Sequence, residues 1–375
     1  MSSSPQAAGA ILHPRGSWFD PAARRLVQAG PLLDRLATRR AVLLGETHDV
    51  AEIHRWQLAV TAALQARQPS LAVGFEMFPR ATQPVLDRWV AGELGTEDFL
   101  AAVGWFEVWG FDPELYLPLF HWCRQQRVRM LALNCHRALV SRVRQVGWDA
   151  IPEAERDGLT PSAPALAAHK QWLAKLMSGM RGQPVALDAR FEGFIAAQQT
   201  WDRAFACNIA AALKGPGAPA LVVGIIGRGH LEYGYGTPYQ LDDLGVPESA
   251  VLLTTTAEDD PASALASGIA DAVFKLDRPE PAAGRPPKLG LKLEAERLVV
   301  IELVEEGAAA LAGMRIGDRL LELAGRPLAS LADYLAVTRR LIAGVSLPVT
   351  LERDGERLAL TVTVLPPAPL GRAPG

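Results

Sequence analysis

"AVLLGETHDVAEIHRWQ", residues 41–57, decides how this chain is to be read. The run from Ala41 to Gly45 is apolar and matches a buried strand. It ends abruptly in Glu46, Thr47, His48 and Asp49, and a helical pattern follows. Ligands in open parallel α/β sheets bind outside the carboxyl ends of the strands, and Gly45 to Asp49 occupies such an end. Gly45 permits a tight turn or a close backbone approach. Asp49 and Glu52 fit a D-x-x-E capping box, which predicts a helix beginning near Val50 and makes Asp49 its cap. Along that helix Ile53, Trp56, Val60 and Leu64 share a core-facing side. His54 and Gln57 flank it three residues apart, so both can point toward the strand end. Glu46 and His48 precede the helix, so its amphipathicity does not account for them.

Other apolar runs have the same form: 71–78, 128–134, 220–226 and 250–256. Strands that do not alternate, separated by helical segments, predict a mostly parallel sheet covered on both faces. The expected fold is α/β, with a helical layer or lid over 151–200 and helical sequence continuing to 213. At 278–288 the text changes to "RPEPAAGRPPK", whose four prolines make a stiff linker. Beyond it, short alternating segments with two helices between them predict a small α+β domain. The expected boundaries are 1–278, a linker at 279–288, a domain at 289–366 and a disordered tail at 367–375.

With 375 residues, 49% hydrophobic and 21% charged, the composition is that of a globular protein. A net charge of −3 gives no field favouring nucleic acid or an anionic membrane. No apolar run approaches the length of a membrane span. The first residues show neither a signal peptide nor a lipobox cysteine, so the expectation is cytoplasmic. Cys123, Cys135 and Cys207 lack metal-ligand spacing and read as free thiols.

The predicted strand ends carry further chemistry. "GFEMF" places Glu76 inside an apolar strand, where a carboxylate is costly unless paired or functional. Its plain alternative is a buried ion pair with an arginine. Asn134 ends the next strand. "VVGIIGRGHLEYGYGTPYQL" (222–241) ends a strand in Gly227, Arg228, Gly229 and His230. A dinucleotide loop is rejected there, because G-x-G-x-x-G needs a glycine where Glu232 stands. Tyr233 and Tyr235 can stack on a planar ligand or offer a phenolate to ferric iron, with aromatic packing as the alternative. Glu46, His48, Glu76, Asn134 and His230 thus fall on one predicted rim.

These elements resemble the ChaN-like haem-binding uptake proteins, relatives of the Tiki and TraB proteins and the erythromycin esterases. The resemblance runs over roughly 30–256. It rests on "LLGETHDVAEIHRWQ", "FEMF", "ALN", "GRGHLEYGYGTP" and the helix "WDRAFACNIAAAL", with the paired G-x-x-H elements most specific. It implies haem bound across a homodimer, or, in Tiki-like relatives, divalent-metal-dependent hydrolysis. The residues after the linker resemble a PDZ domain of the bacterial protease-associated kind, through "LGL" (289–291), "VEEGAAALAGMRIGDRLLELAGRPL" (304–328) and "LERDG" (351–355). There Leu289, Gly290 and Leu291 would form the turn that receives a peptide's terminal carboxylate. The helix at 330–341 would wall the groove, although Leu331, Tyr334, Leu335 and Leu341 suit a core equally well.

The first expectation is therefore haem binding, with His48, His54, His230, Tyr233 and Tyr235 as contact candidates and Trp201 and Phe205 packing on the ring. The alternative is a metal-dependent peptidase or esterase. It would hold Mn, Zn or Co on Glu46, His48, Glu76 and His230, with Glu46 or Glu76 as the catalytic carboxylate. No H-E-x-x-H supports that alternative. A non-catalytic PDZ adaptor is the third.

Overall fold

The computed structural model describes residues 13–277, 289–294, 296–338 and 341–365. The expected linker and C-terminal tail lie outside them. The chain divides into two units, Met1–Pro279 and Glu280–Gly375.

The strands of the first unit are β1 (Trp18–Asp20), β2 (Arg25–Val27), β3 (Ala41–Glu46), β4 (Leu71–Pro79), β5 (Arg129–Asn134), β6 (Leu221–Gly227), β7 (Ala250–Thr255) and β8 (Ala272–Lys275). They form one sheet in the order β2-β1-β8-β7-β3-β6-β4-β5. The strands β3 to β8 run parallel. Only β1 and β2, at one edge, are antiparallel. The apolar runs do not alternate because both faces are covered: Val42 and Leu44 enter one core, Ala41 and Leu43 the other.

Helices α1 (Ala29–Leu36), α2 (Ala51–Gln65), α3 (Gln83–Ala91), α4 (Thr96–Ala102), α5 (Trp105–Val108) and α6 (Leu117–Gln125) supply the first core. Ile53, Trp56, Val60 and Leu64 of α2 are its buried face, as their spacing predicts. On the other side α7 (Arg137–Val146), α8 (Ala167–Arg181), α9 (Ala189–Ala212), α10 (Thr237–Asp243) and the one-turn α11 (Pro261–Ala264) follow. Of these, α9 and α10 pack on the sheet, and α7 and α8 pack on α9.

Two local expectations are corrected. The residue before α2 is Val50, in extended backbone and without a side-chain cap. Asp49 is exposed and caps nothing. The chain needs His48 and Asp49 to turn away from the sheet before the helix can start, which carries the Asp49 carboxylate off the helix end. The helical layer begins at Ala167, not at 151, and 151–166 contains a single 3-10 turn at Glu153–Glu155. Pro152, Pro161 and Pro164 remove the amide donors a helix there would need. The short strands β1, β2 and β8 have too few residues to show a pattern, and sequence reading did not find them.

The second unit contains β9 (Leu291–Leu293), β10 (Val300–Leu303), α12 (Ala308–Leu311), β11 (Arg319–Leu323), β12 (Arg326–Pro327), α13 (Leu331–Thr338), β13 (Ser346–Arg353) and β14 (Glu356–Thr363). One antiparallel pair, β10-β9, accompanies a four-stranded antiparallel sheet, β12-β11-β13-β14. Leu331, Tyr334, Leu335 and Leu341 all pack on this unit's core. Asp318, from the G-D pair, is buried and receives Arg353 through Nε at 2.7 Å and the backbone N–H of Arg315 at 2.8 Å.

Gly45 tests the close packing of the sheet against the β6 end. A Cβ there would stand 2.3 Å from Leu253 Cδ2 and 3.3 Å from Arg228 Cβ. Gly45→Val is expected to destabilise the protein by ~1–3 kcal/mol through overpacking. Urea unfolding reads this, and an unchanged midpoint would contradict the packing described.

Candidate functional site

The sheet order builds the site. Strand β6 lies between β3 and β4, which are consecutive in sequence, so a crevice opens where the connections diverge. Register sets Glu46 opposite Gly227, and Phe75 opposite Ile225. Glu46 therefore ends β3, and Glu76 directly follows the last residue of β4 that pairs with β6. Between Phe75 and Pro79 the pairing of β4 with β5 slips, a bulge that re-aims the residues within it, Glu76 among them.

Glu46 is 1% exposed and fully engaged. The Tyr116 hydroxyl donates to its Oε1 at 2.8 Å, and Gln57 Nε2 donates to its Oε2 at 3.2 Å. His48 Nδ1 stands 2.8 Å from Glu46 Oε1 and 3.6 Å from Glu76 Oε1. Glu76 receives the Gly227 backbone N–H at 2.8 Å. Its neighbours are thus a backbone amide and a histidine, not the arginine that an ordinary buried ion pair would use. Burial, then the charge of Glu46, pushes the Glu76 carboxyl up to about 7. Burial alone would lower His48, but its bond to Glu46 and the charge of Glu76 hold it above the ordinary histidine value. Burial and the same Glu46 charge push the Tyr116 phenol far up, so it stays a donor.

His230 reaches the crevice from the 3-10 turn Arg228–His230 after β6. Its Nδ1 faces Asp202 Oδ1 at 3.0 Å, which leaves Nε2 for the cleft. Burial lowers this imidazole, and the Asp202 charge and hydrogen bond outweigh it and raise it. His48, Glu76, Asn134 and His230 line a cleft of about 580 Å³. Trp109, Phe111, Trp201 and Phe205 contribute aromatic walls, and Arg137 lies on its rim. Trp109 and Phe111 pack on His48 with ring centroids at 4.7 and 5.0 Å, and Phe205 lies edge-on to His230 at 5.3 Å. Asn134 donates through Nδ2 to the Glu76 carbonyl at 2.7 Å, bracing the bulge.

Glu46, His48 and Glu76 each offer a ligand atom, all within 4.8 Å of one another. His230 does not belong to that group. His54 is no cleft ligand: it is buried, with Nδ1 on Gln57 Oε1 at 3.0 Å and Nε2 on the His48 carbonyl at 3.1 Å. It orients Gln57, which in turn holds Glu46. Tyr233 and Tyr235 do not line the cleft either. They stack on each other at 5.4 Å and turn toward α8, Tyr235 against His169 at 5.8 Å and Tyr233 against Trp172 at 6.4 Å. Tyr233 has φ +61, which swings it out of the line of His230.

Sequence reading missed Tyr116, Asp202, Thr237, Trp109 and Phe111. Asp202 had a usable signal, a carboxylate on the buried face of a long apolar helix. Tyr116 had none, because its partner Glu46 lies 70 residues away.

Fold and cleft define an α/β protein with a polar, aromatic-walled pocket at a parallel-sheet switch point, followed by a second small unit. Residues 32–241 match the family described as haem-binding uptake, Tiki superfamily, ChaN, and the chain belongs to that family. Residues 287–364 match the PDZ domain. Among solved structures the chain is similar to ChaN of Campylobacter jejuni, described with cofacial haem binding. The identity is 17%, the TM-score 0.53, and the match covers 68% of this chain and 95% of that one. It is also similar to a serine endoprotease from Yersinia pestis, at 26% identity and TM-score 0.20, covering 22% of this chain and 30% of that one. The HtrA3 PDZ domain with a bound phage-derived ligand is similar at 15% identity and TM-score 0.19, covering 20% of this chain and 83% of that one. No curated protein matches. Among the described residues no helix is long and apolar enough to cross a membrane.

Glu76, His48 and His230 give the unliganded site a pH dependence. Glu76 keeps a proton up to about 7 that the unfolded chain releases near 4.5, so stability falls as pH rises between those values. The two raised histidines contribute stability below 6.5 that is lost as pH rises through their folded values. His13 and His169, lowered by burial, act in the opposite sense, so the expectation is a difference: relative to Glu76→Gln, the melting temperature of the unliganded protein is expected to fall as pH rises from about 4.5 to 7. A calorimetric series in which that difference stays flat or rises would contradict this.

Proposed function

We propose that the first unit binds haem in the strand-end cleft, with His230 as the iron ligand. The observation that carries this is the carboxylate-anchored imidazole of His230, Nε2 toward the cleft, between Trp201 and Phe205. A volume of about 580 Å³ falls in the range of cofactor sites, and aromatic walls suit a planar apolar macrocycle. Arg137 on the rim suits its carboxylates. Haem bound here would supply an iron centre, which His230 would hold while Trp201 and Phe205 would flank the macrocycle. Hemin titration of the purified protein is expected to give a Soret band, and His230→Ala to weaken binding at least about tenfold, as losses of metal-site support do. Equal affinity in that variant removes His230 as ligand. We place the homodimer with this proposal, and sedimentation with and without hemin tests it.

A second reading is favoured by the Glu46, His48 and Glu76 cluster, whose ligand atoms gather within 4.8 Å. A divalent ion held there would act as a Lewis acid and lower the pKa of bound water. Of Glu46 and Glu76, the carboxylate left off the ion would serve as the general base of a peptidase or esterase. Stoichiometric Mn, Zn or Co by elemental analysis, lost in His48→Ala, would support it over haem.

For the second unit we propose binding of peptide C-termini. Gly290 has φ +74 and a Cβ there would stand 2.9 Å from Gly307 Cα, so glycine alone fits the turn. Leu289 is buried and its carbonyl accepts from Ala309 N at 2.7 Å, which locks the turn onto α12. Leu291 opens β9, which ends its sheet and leaves an edge for an added strand among the described residues. Peptides with a free terminal carboxylate are expected to bind more tightly than amidated ones. Equal affinity would remove carboxylate recognition.

A further inference from the structure

The cleft has two polar ends that the chain leaves unfilled. At the buried end Glu76 is 3% exposed, and the Gly227 amide holds its Oε1 at 2.8 Å. Its Oε2 receives no hydrogen bond among the described residues, although the side chain lines the cleft. A buried carboxylate oxygen without a donor is costly, so it marks a place for a group from outside the chain. Glu46 and His48 stand beside it. At the open end is Arg137, the first residue of α7, exposed and without an ion pair or hydrogen bond among the described residues. The first bond of α7 runs from Leu139 N to the His136 carbonyl at 3.0 Å, so the Arg137 and Ala138 amides have no acceptor among the described residues. Both residues line the cleft. The amide before them, His136 N, is taken by Asp157 Oδ2 at 3.1 Å. A guanidinium beside two unpaired amides matches a carboxylate.

We propose that the cleft takes N-acyl amino acids and short peptides by their free carboxylate, and that hydrolysis there removes the last residue. The proposal rests on the metal-hydrolase reading above and names its substrate class. Glu46 and Glu76 repel an anion, so a ligand's carboxylate belongs at Arg137 and not at the cluster. The aromatic walls would take the last side chain, and the carbonyl one peptide bond back would meet the cluster. Water gives its hydroxyl to that carbonyl carbon as the C–N bond breaks, the leaving nitrogen takes the proton, and a free amino acid departs. A volume of about 580 Å³ suits one or two residues. A chain continuing past the bond would bring a neutral peptide group to the guanidinium and forfeit the charge-assisted bond.

Calorimetric titration of the full chain, cleared of metal by chelation, reads the carboxylate site without turnover. N-acetylphenylalanine is expected to bind about tenfold tighter than its amide, the worth of one charge-assisted hydrogen bond at a partly exposed site. Arg137→Gln is expected to abolish that preference, and as a surface change it is expected to fold. Equal binding of acid and amide, or a preference that survives Arg137→Gln, overturns the proposal. With Mn, Zn or Co added, benzoyl-glycyl-phenylalanine is expected to be cleaved at its glycyl-phenylalanine bond, its amide to show about tenfold lower kcat/KM, and Arg137→Gln to raise KM for the acid. Equal kcat/KM for acid and amide overturns this proposal alone. No metal uptake and no cleavage of either compound overturns the hydrolase reading and this proposal with it.

Discussion

Two carboxylates held side by side out of water, one at the end of β3 and one in the bulge of β4, are the constraint on which the rest of the cleft depends. Like charges in a low-dielectric site cannot both be left uncompensated. The protein treats them unequally. Glu46 receives Tyr116 and Gln57 and faces His48, so its charge is dispersed over three partners. Glu76 has a backbone amide and the more distant edge of His48. One carboxylate is thus a fixed anchor, and the other is left to take up a proton or a cation. This inequality leaves one buried carboxylate in the crevice able to take up positive charge.

Close approach of backbone makes that arrangement possible. A Cβ on Gly227 would stand 3.1 Å from His48 Cε1 and 3.3 Å from Glu76 Oε1. The glycine that opens the second G-x-x-H is there because His48 and Glu76 occupy the space a side chain would need. Gly45, at the first G-x-x-H, clears Leu253 and the start of the Arg228–His230 turn in the same way. The two motifs are related sterically as well as chemically: each glycine makes room for what the opposite strand end presents. None of these positions has a left-handed φ, so space and not backbone freedom selects glycine.

The two units answer to different physics. The first places polar groups at the ends of a doubly covered parallel sheet, where helices close both faces and leave only the rim open. The second offers a strand edge beside a glycine turn, and recognition there would come from main-chain hydrogen bonds. Within it Asp318, through its bonds to Arg353 and to the Arg315 amide, ties the A-G-M-x-x-G-D segment to the adjacent strand β13.

What the sequence by itself determined is the placement of chemistry along strands. Apolar runs without alternation meant a doubly covered sheet, and a parallel sheet brings its carboxyl ends to one rim, so Glu46, His48, Glu76 and His230 could be assigned there from local pattern. What only the tertiary structure decided is which atoms remain free. His54 lies within a helical turn of Gln57 and the strand end, yet both its ring nitrogens are occupied. Tyr233 and Tyr235 follow His230 directly, yet α8 draws them aside. Tyr116 and Asp202, from α-helical layers on opposite faces of the sheet, supply the partners of Glu46 and His230. Those pairings span 70 and 28 residues. Hydrogen-bond partners chosen across a fold leave no periodic trace in the chain, because they depend on how layers stack and not on how any segment coils.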